Sequence, residues 1–241
     1  MKVDFATFCY SGDAHRLHHP GQLQKQVDSN NYPFDNVIIV YQDLVPGDYE
    51  LEDINYPIIR MPISDFDRLL THFDINLTGQ YQSSTDKHHN WKHHVINHLA
   101  AILATGADYI VFADNDCWMV NQPEGLSWVQ AGIDILRENP HVFIVSPNDG
   151  EEARLTQRMS QQMFLVNVDN FRSMDFNQPG FDFEVTNHPE MPEYHAMLEG
   201  RIHYHCVTAN RFRYVLPPEY RYWHHNRLTK EGLFEVDYSK Y

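Results

Sequence analysis

Nowhere in this chain do apolar residues run on for the roughly 18 positions a membrane-spanning helix requires, so no segment is expected to cross a bilayer. The first residues, MKVDFATFCYSGD, lack the apolar core of a secretory signal and enter a strand pattern directly. Cysteine is scarce: Cys9, Cys117 and Cys206 lie far apart. So few thiols at such spacing make no disulfide framework, and they read as reduced groups in a cytoplasmic protein. Lysine and arginine number 18 against 33 acidic residues, for a net charge of −15. A protein built to grip nucleic acid needs cations for the phosphates, so that class is not expected. Glycine is thin where a phosphate loop would want it. The stretch after the first strand, YSGDAHRLHHPG, has one early glycine and no glycine-rich run.

What the chain does carry is enough apolar content, 42% over 241 residues, for a sizeable core in one large α/β domain. Its 16 histidines add sensitivity to pH near neutrality. Charge is uneven: Arg201, Arg211, Arg213, Arg221, Arg227 and Lys230 face only Glu219 in sequence. That cationic segment either meets the phosphates of a small ligand or offsets acidic neighbours at the surface.

Val3–Tyr10 alternates and is β-rich, Ala14–Ser29 places Leu17, Leu23 and Val27 at helical spacing, and Asn36–Tyr41 is a second buried strand. Strand, helix, strand within that length is a βαβ unit. Pro57–Ile63 reads as a third strand, and Ser64 caps a short helix carrying Phe66, Leu69 and Leu70. Trp91, Val95, Leu99 and Ile102 define a helix through Ala104, ended by Gly106, and Tyr109–Ala113 is the strand that follows. Further on, Ser127–Arg137 reads as a helix, Val142–Ser146 and Gln162–Val166 as strands, and Asn170–Met174 as a short helix. Asn177–Pro192 reads as a loop, Glu193–Glu199 as a helix stopped by Gly200, Ile202–Thr208 as an alternating strand, and the tail from Pro217 as irregular.

The most informative stretch is DYIVFADNDCWMV, Asp108–Val120. A buried strand breaks off into Asp114-Asn115-Asp116, which an open α/β sheet would place in the crevice where such sheets bind ligands. Two carboxylates two residues apart suit a hard divalent cation whose remaining ligands are water or phosphate oxygens. The competing reading is a polar turn, for which Asp-Asn-Asp is good chemistry. Asp65-Phe66-Asp67 has the same spacing, but reads as carboxylates at a helix start. Only the later pair follows a buried strand.

The segment NHLAAILATGADYIVFADNDCWMV resembles the core of GT-A-type, family-2-like nucleotide-sugar glycosyltransferases, with Asn97, Gly106, Tyr109, Asp114 and Asp116 matching in order. The first strand, the helix carrying Arg16 and NVIIVYQD are similar to that family's nucleotide-binding half, so the resemblance covers Val3–Val120 in arrangement and is specific over Asn97–Val120. It implies one domain over 1–241, with a mainly parallel, helix-flanked sheet, a nucleotide-binding half to about residue 120 and an acceptor half beyond. It implies that Asp116 binds Mn2+ or Mg2+ directly. Asp114 would reach the ion through water, or touch the ribose or donor sugar, beside Asn115. Phe8, Cys9, Tyr10 and Ser11, with Gln42 and Asp43, would hold the nucleoside. Arg16 or Lys92 would reach a phosphate. The family's frequent second aspartate after the pair is replaced here by Cys117.

A C-terminal histidine often completes the metal shell in such enzymes, and His224 and His225 in the basic tail are favoured over His203 and His205, which an alternating strand would turn to one side. His94 and His98 share a helical face at a spacing that can bind zinc. With no partner ligand at short spacing, the His88–His98 cluster reads as a wet polar face. An inverting transferase needs a carboxylate base at the acceptor hydroxyl. Glu193 heads the candidates, with Asp182, Glu184 and Glu190 beside it, although the family's Glu-Asp pair is absent. Gln161 and Gln162 either meet sugar hydroxyls or are polar strand residues. The expected activity is metal-dependent transfer of a sugar from a nucleoside-diphosphate sugar to a sugar or other hydroxyl-bearing acceptor. Its rivals are a nucleotidyltransferase of similar fold, weakened by the missing glycine-rich loop, and a non-catalytic histidine-rich protein that binds metal or sugar.

Overall fold

Four apolar runs in the N-terminal half form one parallel ladder. In a computed structural model, residues 1–9, 21–42, 54–63, 69, 71–73, 92–148, 153–157, 159, 162–176 and 198–223 are described. Val3–Cys9 (β1), Asn36–Gln42 (β2), Ile58–Ile63 (β3) and Tyr109–Ala113 (β4) lie side by side in the order β3-β2-β1-β4, all parallel. Beyond β4 the sheet becomes mixed. Met163–Asn167 (β8) runs antiparallel between β4 and Val142–Ser146 (β6), and Phe212–Val215 (β9) and Arg154–Thr156 (β7) complete eight strands in the order β3-β2-β1-β4-β8-β6-β9-β7. A separate antiparallel pair joins Trp118–Asn121 (β5) to Arg221–Trp223 (β10).

Both faces of the sheet are covered, which is why its strands read as continuous apolar runs. On one face Val3, Phe5, Val37, Ile39, Val111 and Leu165 meet Leu23 and Val27 of Gln22–Asp28 (α1) and Trp128, Val129 and Ile133 of Trp128–Glu138 (α3). On the other, Ala6, Phe8, Ile110, Phe112 and Phe164 meet Lys92–Ala104 (α2), Val168–Arg172 (α4) and Leu198–Thr208 (α5) through Leu99, Ile102, Phe171, Ile202 and Cys206. The protein is therefore an α/β fold with a large central sheet flanked by helices. Gly132 lets α3 sit close on the sheet, because a Cβ there would lie 2.8 Å from Leu165 Cδ2. Asp4, fully buried in β1, accepts from Asn36 Nδ2 at 3.0 Å and Thr105 Oγ1 at 2.6 Å, tying β1 to β2 and to the end of α2. Arg172 Nη2 donates to the carbonyls of Ile102 and Thr105, which the end of α2 would otherwise leave open.

Two expectations give way. Residues 198–208 are one helix, so Gly200 stops nothing and Ile202–Thr208 is not a strand. Ile202 and Cys206, one helical turn apart, are both fully buried against the sheet, and that burial outweighs the apparent alternation. His203 and His205 consequently diverge instead of sharing a side: His203 Nδ1 lies 2.6 Å from the Gln157 carbonyl, and the His205 ring sits 4.9 Å from that of Phe143. The tail from Pro217, expected to be irregular, contains strand β10 after a turn. No helix among the described residues is long and apolar enough to cross a membrane.

Candidate functional site

Chain order and strand order part company between β1 and β4. From β1 the chain builds outward through β2 and β3, with α1 on one face, then returns by α2 on the opposite face to place β4 on the other side of β1. Open α/β sheets bind ligands outside the carboxyl ends of the strands at such a switch point. Asp114 follows directly on β4, and Ala113 is in register with Thr7 of β1. The acidic triplet therefore sits at the carboxyl end of the sheet, at its switch point.

The triplet is a tight turn: Cys117 N donates to Asp114 O at 2.9 Å. Asp114 N donates to Gln162 O at 2.8 Å, which anchors the turn to the chain entering β8. Asp114 is half-buried, while Asn115 and Asp116 are 5% and 7% exposed. Ligand atoms of Asp114, Asp116 and Cys117 all lie within 4.8 Å of one another, the one such grouping among the described residues. Two converging carboxylates supply the oxygen ligands a hard cation prefers.

Cys117 is a different matter. It is fully buried in the cluster that includes Met119, Trp128 and Val129. Burial pushes its thiol well up, reinforced by the charges of Asp114 and Asp116, so it stays a neutral packing group. An aspartate at 117 would put a third carboxylate into that apolar packing. Burial likewise pushes Cys206 up to about 12. Neither Cys117 nor Cys206 should react with iodoacetamide at mildly alkaline pH until the protein is unfolded, as mass spectrometry of their peptides from native and denatured samples would show. The stability that the protonated Cys206 contributes is complete below the ordinary value of 9.0 and is lost as pH climbs towards 12.

Other candidate residues are placed as follows. Phe8, expected at the nucleoside, is fully buried, its ring 4.5 Å from that of His98 and 6.2 Å from that of Phe112. It presents no surface to a ligand. His98, expected on a wet face, is 1% exposed and packs against Phe8, Phe112 and Phe164, because that side of α2 faces the sheet. Asn97 is fully buried, and neither of its amide atoms has a hydrogen-bond partner among the described residues. Lys92 begins α2, but its side chain is outside the description. Gln162 Oε1 accepts from Tyr222 Oη at 2.8 Å. Tyr10, Ser11, Arg16, Asp43, Asp182, Glu184, Glu190, Glu193, His224 and His225 lie outside the described residues.

Two features had gone unmarked in the sequence. Trp223 is paired with Trp118, so the residue before His224 lies across from the strand that leaves the acidic turn. Gln26 of α1 donates from Nε2 to Asp114 O at 2.7 Å and to Cys117 O at 3.0 Å. Its signal was a polar residue on the buried side of a helix, beside Leu23 and Val27.

No family model matches the chain, and no curated protein matches it. Among solved structures it is similar to S. aureus TarS. The 1–349 structure shares 12% identity with a TM-score of 0.46, over 94% of this chain and 61% of that one. The same segment in complex with UDP-GlcNAc shares 11% at 0.46, over 95% and 60%. A further TarS structure shares 13% at 0.44, over 93% and 36%. The chain thus spans less than two thirds of each of these, and at such identities nothing about substrate or activity passes to it.

Proposed function

We propose that this protein is a metal-dependent glycosyltransferase of GT-A type, moving a sugar from a nucleoside-diphosphate donor to a hydroxyl-bearing acceptor. The observation that carries the reading is the convergence of Asp114 and Asp116 at the carboxyl end of β4, at the switch point of an α/β sheet. Their oxygens fit Mn2+ or Mg2+, with Asp116 as the direct ligand and Asp114 reaching the ion through water or touching the donor's ribose or sugar. When bound, the cation offsets charge on the leaving diphosphate. His224 or His225 is the proposed third protein ligand, supported by the pairing of Trp223 with Trp118.

With Phe8 committed to the core, contact with the nucleoside falls to Tyr10 and Ser11 beyond it and to Asp43 after β2. Arg16 and Lys92 are proposed for the diphosphate. Asn97 and Asn115 are proposed at the donor, supported by both amide atoms of Asn97 and Nδ2 of Asn115 being buried without partners among the described residues. Glu193 is proposed as the base, taking the acceptor hydroxyl proton as oxygen attacks the sugar.

Calorimetric titration with UDP and GDP, with and without Mn2+, tests the core of this reading. Binding of one nucleotide only when the cation is present is the expected result. Absence of nucleotide binding would remove the proposal, and tight Zn2+ binding alone would favour a histidine-rich metal-binding protein. A screen of donor hydrolysis over nucleotide sugars with Mn2+ then identifies the donor.

A further inference from the structure

The acidic turn is gripped by a side chain that no motif marks. Gln26 is 1% exposed, and the two carbonyls its amide nitrogen binds belong to the first and last residues of the turn. Only the NH2 end of an amide can serve two acceptors, so the chemistry sets which way round the group lies. Its Oε1 is left buried with no partner among the described residues. An unpaired buried acceptor has lost its bonds to water without replacement, which opposes folding. A helix that only had to cover the sheet would carry an apolar residue here, as α1 does at Leu23 and Val27. A local rule broken beside a ligand site is where function sets the choice of residue.

The clamp is itself braced. Gln26 O accepts from Ser29 Oγ at 2.7 Å and Asn30 Nδ2 at 2.9 Å, and Asn30 Oδ1 accepts from Trp128 Nε1 at 2.8 Å. The turn is thereby tied through the end of α1 to the start of α3. Such bracing matters because two carboxylates held within 4.8 Å repel each other and tend to splay before a cation arrives.

We propose that Gln26 is a positioning residue for the metal-binding carboxylates: by holding both ends of the Asp114–Cys117 turn, it keeps Asp114 and Asp116 converged on one ion. This rests on the reading of the turn as a metal–diphosphate site. Partners one step removed from a metal's ligands commonly change its affinity about 10–100-fold when lost.

Three variants separate positioning from simple stability. Gln26→Met keeps the length of the side chain and removes both donors. Gln26→Asn keeps the amide on a stem too short to span both carbonyls. Val27→Ala truncates a fully buried residue on the same helix and leaves the clamp intact. The readouts are the Mn2+ dissociation constant with UDP present and the melting temperature without either. Both Gln26 variants should weaken Mn2+ about 10–100-fold. Val27→Ala should lower the melting temperature with Mn2+ affinity close to wild type. If wild type binds and Gln26→Met binds equally well, or Val27→Ala loses as much affinity, the positioning role is overturned while the metal site stands. Wild type showing no Mn2+-dependent UDP binding removes the metal site first. Should Gln26→Met fail to fold, Gln26→Asn decides the question.

Discussion

Asp116→Ala should abolish sugar transfer and Mn2+-dependent UDP binding while leaving the metal-free protein as stable as wild type or slightly more so. The activity loss follows from the ligand set: removing Asp116 takes away the proposed direct carboxylate ligand and leaves half-buried Asp114 as the one carboxylate of the converging pair. Charge stabilisation at a leaving group is commonly worth several kcal/mol, so transfer should fall by about 10³-fold or more. The stability change has the opposite sign. Asp116 is 7% exposed beside Asp114, and removing it relieves repulsion between like charges without opening an apolar cavity, which offsets the loss of its long contact with Cys117 Sγ at 4.0 Å. Sites under functional strain commonly gain stability when relieved. Asp116→Asn, which keeps shape and removes charge, should behave alike. The measurements are donor hydrolysis rates, UDP titrations with Mn2+, and thermal scans of metal-free protein. Undiminished turnover in Asp116→Ala would sink the proposed function. A large drop in melting temperature would instead make the residue a structural one.

The half of the sheet that builds the site was the most legible part of the sequence. Strands β1, β2 and β4 are buried on both faces, so each is written as an apolar run, and the polar triplet ends the last of them abruptly. The second half was harder because its order depends on distant pairings. Nothing local in QMFLV announces that β8 runs antiparallel between β4 and β6. Helix α5 misled for a different reason. Apolar residues two apart, Ile202, Tyr204 and Cys206, imitate a strand, while the pair buried one turn apart, Ile202 and Cys206, serves a helix. Near the site, Asp114 and Asp116 could be read because carboxylates carry their chemistry openly. Gln26 could not, because a glutamine on a helix is ordinary until its two carbonyl partners, 88 and 91 residues away, are known. Position in the chain alone puts Phe8 at the ligand and His98 in solvent, whereas packing between α2 and the sheet decides both.

Trp128→Ala should be the most destabilising single substitution in the face that supports the turn. The side chain is fully buried where α3 begins, and its Nε1 donates to Asn30 Oδ1 at 2.8 Å. Truncating a buried tryptophan or phenylalanine to alanine typically costs about 3–5 kcal/mol through lost burial and the cavity left behind. Here the loss also strips a partner from Asn30, which is itself fully buried and whose amide nitrogen holds the carbonyls of Gln26 and Val27. Trp128→Phe separates the two contributions. It keeps most of the apolar volume and removes the donor, so it should cost less than alanine, about 1–3 kcal/mol for the orphaned Asn30 oxygen. Urea unfolding of the three proteins should therefore rank wild type above phenylalanine and phenylalanine above alanine, with similar denaturant slopes. The ranking carries through to the site, because the Asn30 contact braces the carbonyl of Gln26 and, through its side chain, both ends of the acidic turn. Mn2+ affinity with UDP should weaken in Trp128→Phe although the substituted ring has no atom at the ion. Equal midpoints for Trp128→Phe and wild type would mean that the indole hydrogen bond contributes nothing and that the brace ends at α1.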